Sequence, residues 1–170
     1  MKAEDWFKNF YNYYYENYDT GLKMKQKEAQ AKNKDAHWTD AMNEFLDKLA
    51  EQMGYRVTHQ TARIDHRWQR EDSIVAIEHE NNSETIDTEV DNLDAFRANL
   101  KVLITYFRED EYTWRPYRRM QEIKNKITPV NGSEFLLIYG SYGQHGDQYD
   151  WAALQIYPRI ELRIDSVPTK

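Results

Sequence analysis

The sequence predicts a mixed α/β domain, with a central sheet of about five strands flanked by helices. Two observations carry this reading. Unbroken apolar runs, Ile74-Val75-Ala76-Ile77, Val102-Leu103-Ile104 and Phe135-Leu136-Leu137-Ile138, are the pattern of strands covered on both faces. Between them lie segments whose apolar residues recur at helical spacing, and a helix between two buried strands makes a parallel crossover the natural geometry.

The elements follow in order. Trp6, Phe10 and Tyr14 recur at helical spacing, with Tyr11 and Tyr18 alongside, which predicts a helix packing an aromatic stripe. A base-stacking surface is the lesser reading, since nothing basic interleaves with the tyrosines. Residues 23–34 are lysine-rich and polar, as in a solvated helix or a connection. Trp38, Ala41, Met42, Phe45, Leu46, Leu49 and Met53 define the strongest helical stripe, closed by Gly54, with Glu44 at its edge. Strands are read at Tyr55–Gln60, Ala62–Trp68 and Ser73–Asn82, with a polar turn at Gln69–Asp72. Thr88-Glu89-Val90-Asp91 resembles a capping box, opening a helix through about Lys101. A strand over 102–107, a helix from Arg115 to Ile127 with Pro116 in its first turn and a strand over 135–140 come next. Ser141–Asp147 is a glycine-rich turn, and late strands are read at 151–157 and 160–164. One domain accommodates all of this: an N-terminal extension over 1–35, a core over 36–140 and C-terminal strands over 141–170.

Composition narrows the function. The 170 residues carry a net charge of −6, which disfavours wholesale non-specific nucleic-acid binding but leaves room for a local basic groove. No cysteine is present, which removes disulfides, zinc-thiolate sites and cysteine nucleophiles. The opening residues lack a signal-peptide pattern and no apolar run reaches membrane-spanning length, so the expectation is a soluble, cytoplasmic protein without a membrane partner.

The residues that point to chemistry are Asp65, Glu78 and Glu80. Each ends an apolar, strand-like run. Glu78 and Glu80 alternate onto one side of their strand, and Asp65 can lie beside them if the two runs pair as a hairpin. Carboxylates ~4 Å apart at an effective dielectric of about 20 repel by roughly 4 kcal/mol per pair. A divalent cation makes such a cluster tolerable, and oxygen-only ligands favour magnesium, manganese or calcium. The competing reading pairs these acids with Arg63, Arg67 or Arg70 on a solvated surface. His66 and His79 alternate away from the acids and read as packed histidines; His37 and His59 show no pattern.

A helix carrying Glu44, three strands bearing Asp65 and Glu78-His79-Glu80, then a helix and a strand: over roughly Trp38 to Phe107 this order resembles the PD-(D/E)XK nuclease superfamily, of restriction-endonuclease-like fold. On that resemblance Asp65 matches the motif's Asp, Glu78 its second acid and Glu44 the helical glutamate many members add. Glu80 stands where the family usually has lysine, and Ile64 where proline often precedes the Asp. The resemblance implies one or two Mg²⁺ or Mn²⁺ ions held by Asp65, Glu78 and Glu80, with Glu80 as general base or as ligand of a second metal and Glu44 completing the shell. It implies nucleic acid, DNA before RNA, as substrate, with Arg63, Arg67, Arg97 and Lys101 as contacts and Lys101 as a relocated lysine. Arg70, Arg115, Arg118 and Arg119 extend the basic groove. A homodimer is the family-based expectation. Two other classes stay open: an inactive nuclease-fold interaction module, and a hydrolase of small phosphoesters.

Overall fold

The structure, a computed structural model, describes residues 1–17, 35–61, 63–80, 85–107, 115–127, 132–142, 149–157 and 160–162. The lysine-rich segment 23–34 and most of the glycine-rich turn after Tyr142 lie outside the described residues. The chain forms a mixed α/β fold in the order α1 (Ala3–Asn17), α2 (Asp35–Gln52), β1 (Arg56–Thr61), β2 (Ile64–Arg70), β3 (Ser73–Glu80), α3 (Ile86–Ala95), β4 (Leu100–Phe107), α4 (Arg115–Lys126), β5 (Glu134–Tyr142), β6 (Tyr149–Tyr157) and β7 (Ile160–Leu162). No helix among the described residues is long and apolar enough to cross a membrane.

Among the described residues the strands form one seven-stranded sheet in sequence order, β1 to β7, in place of the expected five or so. The late strands join the same sheet and so enlarge it. Pairing is antiparallel across β1–β2–β3, parallel across β3–β4–β5 and antiparallel across β5–β6–β7. Each parallel step is bridged by a helix. Two successive crossovers of the same hand, moving the same way along a sheet, put both helices on one face. Accordingly Ile86, Val90 and Leu93 of α3 and Ile123 of α4 share a core with Ala76, Leu103, Phe135 and Leu137. The opposite face, lined by Val75, Ile77, Val102, Ile104, Leu136 and Ile138, is covered by α1 and α2. The central strands are thus buried on both sides, which is why they read as unbroken apolar runs.

Helix α1 belongs to this second core. Trp6, Phe7, Phe10 and Tyr14 are essentially inaccessible. Trp6 packs on Trp68 at 5.4 Å between ring centroids, and Phe10 meets Phe45 at 5.4 Å and Trp151 at 5.0 Å. The Ala3 amide at the helix start donates to Glu134 Oε2 at 2.6 Å, an anion placed at the positive end of the helix dipole. The Trp6–Phe10–Tyr14 stripe is core, not a base-stacking surface, while Tyr18 lies outside the described residues.

Three local expectations change. Strand β2 runs on to Arg70, which leaves only Glu71 and Asp72 in the turn, Glu71 with φ 52°. Helix α3 begins at Ile86, not Thr88, and the residue before it, Thr85, makes no side-chain cap because its hydroxyl is bonded to Glu80. The same helix ends at Ala95 instead of running to Lys101. Phe96 turns extended, and Asn99 straps the sheet: its amide and side chain bond Ile74, while its carbonyl accepts from Glu134. Those strand-type bonds pull residues 100 onward into β4, and Lys101 with them.

Candidate functional site

Asp65 and Glu78 meet at the end of the β2–β3 hairpin. The register pairs His66 with Ile77, so the next step outward sets Asp65 opposite Glu78. The Asp65 amide donates to Glu78 Oε2 at 3.3 Å, and the His79 amide donates to Asp65 Oδ2 at 3.2 Å. Glu78 is 1 % exposed, and its Oε1 is buried with no hydrogen-bond donor. Burial first, then the Asp65 and Glu89 carboxylates, push the Glu78 carboxyl up to about 10. An acid in that setting takes up a proton or binds a cation.

Glu80 alternates onto the same face as Glu78 and is half-buried at the rim, where its Oε2 accepts from Thr85 Oγ1 at 2.5 Å. Glu89, on the first turn of α3, lies beside Asp65, Glu78 and Glu80, although no three of these acids bring ligand atoms within 4.8 Å of one another. Its carboxyl is pushed up, chiefly by burial and further by the charges of Asp65 and Glu80, while a bond from Asn92 Nδ2 at 3.2 Å and one with Glu78 act against that. Helix α3 leaves β3 beside these acids, so its N-terminal end adds favourable potential where they gather. Sequence reasoning passed over Glu89. The signal was there: it borders the Ile86–Val90–Leu93 stripe, the criterion that singled out Glu44.

Glu44 itself is not brought to the acids. It lies on α2, in the layer across the sheet, 47 % exposed and paired with Lys48 at 2.7 Å one helical turn away. Lys101 is not at a helix end. It sits in β4, 3 % exposed, with Nζ donating to the Asp94 carbonyl at 2.8 Å and 3.9 Å from the Asp94 carboxylate, so it caps the end of α3. Arg63 and Arg97 are exposed, Arg63 with φ 69° in the β1–β2 turn. Arg67 shares a face with Asp65 but donates to Gln69 Oε1 at 2.7 Å. Arg70 donates to the Met53 carbonyl at 3.0 Å and lies over the Tyr55 ring. Among the described residues no arginine forms an ion pair with Asp65 or Glu78, so the ion-pair reading of these acids finds no partner. The side chains of Arg115, Arg118 and Arg119 lie outside the described residues.

Across the sheet, the histidines form a polar group of their own. His79 is buried and bonded through Nε2 to the Tyr106 hydroxyl at 2.6 Å. Burial holds its imidazole down at about 3. His59 and His66 face each other across β1–β2, with rings 4.8 Å apart, and Asp47 of α2 reaches both: Oδ2 lies 3.2 Å from His59 Nε2, and Oδ1 lies 3.4 Å from His66 Nδ1. Among the described residues this is the one trio of histidine and acid side chains whose possible ligand atoms all lie within 4.8 Å of one another. No sequence pattern signals it, because residues 47, 59 and 66 are joined only by the β1–β2 register and the packing of α2.

Comparison of the chain with family models, with curated proteins and with solved structures gave no match.

Proposed function

We propose that this chain is a divalent-metal-dependent nuclease of the restriction-endonuclease-like type, working through Asp65, Glu78 and Glu80 with Glu89 beside them. The order helix, antiparallel three-strand meander, helix, parallel strand supports that likeness. The observation that carries the reading is Glu78: a carboxyl with a bare, buried Oε1, set against a second carboxylate at a strand end. An oxygen-only donor set of this kind fits Mg²⁺ or Mn²⁺.

Asp65 and Glu78 would hold the cation, which when bound supplies Lewis-acid neutralisation of a phosphodiester and a more acidic water. Both carboxylates are fixed by backbone amides, so their geometry is set before ligand arrives. Glu80 is the group placed to accept a proton: it is at the rim, half-buried, and oriented by the Thr85 hydroxyl. Arg63 and Arg97, both exposed, are the cations free to meet a phosphate backbone of DNA. A homodimer would bring two such centres to a duplex.

The second reading, a nuclease fold retained as an interaction module, is favoured by Lys101, whose burial against α3 leaves the motif lysine unreplaced by that residue. The two are separated by incubating the protein with plasmid DNA and with RNA in Mg²⁺ or Mn²⁺. Metal-dependent cleavage abolished by Asp65→Asn and by Glu78→Gln supports the nuclease. Folded wild-type protein that cuts neither substrate with either metal sinks it.

A further inference from the structure

We infer that Asp47, His59 and His66 form a second metal site, for a divalent ion of the zinc type, which clips α2 to the β1–β2 hairpin on the sheet face opposite the acids. His66 is bonded on one ring nitrogen and not on the other. Its Nε2 lies 2.9 Å from Asn43 Oδ1, an acceptor, so Nε2 carries the hydrogen and Nδ1 presents its lone pair. Nδ1 lies 3.4 Å from Asp47 Oδ1, which is itself an acceptor.

Both atoms are buried, and neither has a hydrogen-bond partner. His66 is wholly buried, so water does not supply the missing partner. A cation bound between the two atoms would satisfy both.

The spacing fits. Four-coordinate zinc with bonds of about 2.0–2.1 Å separates its ligand atoms by roughly 3.4 Å. The histidine-to-carboxylate distances, 3.2 Å from His59 to Oδ2 and 3.4 Å from His66 to Oδ1, lie near that value, and the three side chains' ligand atoms all fall within 4.8 Å of one another. Two imidazoles and one carboxylate suit zinc, cobalt or nickel better than magnesium or calcium. Asn43 stands where a metal-binding histidine's supporting acceptor is expected, bonded to the ring nitrogen that would not bind the ion. His59 and Asp47 are 49 % and 41 % exposed, which opens a path for the ion and leaves a coordination position facing solvent for water.

The site does not depend on the nuclease reading: its donors differ in chemistry from the acids and lie across the sheet. The two sites share β2, since His66 follows Asp65, so an ion on one face would steady the strand that presents the acid on the other.

The test is titration of chelator-stripped protein with Zn²⁺, and with Co²⁺ as a spectroscopic reporter. The expected result is one equivalent bound, visible ligand-field bands from Co²⁺ and a raised Tm. His59→Ala, at an exposed position, should keep the metal-free Tm yet bind at least ~10-fold more weakly, and Asp47→Asn should do the same. Asn43→Leu should weaken binding about 10- to 100-fold. The Asp65→Asn, Glu78→Gln double variant should bind Zn²⁺ like wild type. Absence of Zn²⁺ binding by the wild type overturns the proposal. So does undiminished binding by folded His59→Ala and Asp47→Asn, or a loss confined to the double variant, which would put the ion on the acids.

Discussion

Asp65 and Glu78 are bound to each other's backbone: the Asp65 amide donates to the Glu78 carboxyl, and the amide after Glu78 donates to the Asp65 carboxylate. This reciprocal pair closes the end of the β2–β3 hairpin and holds two acids together where one of them is buried. Two carboxylates fixed in this way cannot both stay charged without help, and the expected behaviour of the protein follows from which help they receive.

Without metal the help is a proton, and stability should depend on pH accordingly. Glu78 has its carboxyl pushed up to about 10 from an ordinary 4.5. Between those values the folded state holds a proton that the unfolded state has lost. Its contribution is therefore complete below about pH 4.5 and declines as pH rises toward 10. His66 and His79, held at about 4 and about 3 against an ordinary 6.5, act in the other direction. Their contribution is present above pH 6.5 and is lost as pH falls through those lower values. In chelator, Tm should fall on both sides of a maximum near pH 6.5, and Glu78→Gln should flatten the alkaline side. An alkaline side as steep in Glu78→Gln as in wild type would contradict this account.

Glu89 and Glu44 should separate by activity. Glu89→Gln alters the acid group and should lower metal-dependent cleavage about 10-fold or more, the low end for a residue supporting metal ligands. Glu44→Ala removes an exposed pair with Lys48 and should leave cleavage unchanged and stability within about 0.5 kcal/mol. Initial rates on one substrate decide between them.

His79 relies on Tyr106. Its Nδ1 is buried without a partner, so Tyr106→Phe would leave both ring nitrogens bare. A loss of about 1–3 kcal/mol is expected. For a chain of this size that lowers Tm by roughly 2–4 °C per kcal/mol. Urea unfolding of the two proteins side by side measures it.

Trp6 locks α1 to the sheet. Trp6→Ala empties a fully buried site against Trp68 and should cost about 3–5 kcal/mol. Denaturant midpoints check this. A change under 1 kcal/mol would mean that α1 is not part of the core.

The sequence carried the elements better than their joints. Ile74–Ile77 and Phe135–Ile138 announced buried strands because both of their faces are covered, and Met42, Phe45 and Leu49 announced α2 because only one of its faces is. The pairing of Asp65 with Glu78 was legible because hairpin neighbours and strand alternation are local properties. What was not legible depends on tertiary contact. Asn99 ends α3 early by bonding two distant strands, which moves Lys101 from a helix end into β4. Glu89 reaches the acids only because α3 folds back over β3. Asp47 joins His59 and His66 only once α2 packs on the β1–β2 hairpin.

The central claim is that Asp65 and Glu78 hold a divalent cation. Its most direct test is calorimetric titration of Mn²⁺ into metal-free wild-type protein, the Asp65→Asn, Glu78→Gln double variant and His59→Ala. The account predicts binding in the wild type and in His59→Ala, and its loss in the double variant while the fold is kept. No binding by the wild type, or binding that survives in the double variant, would contradict it.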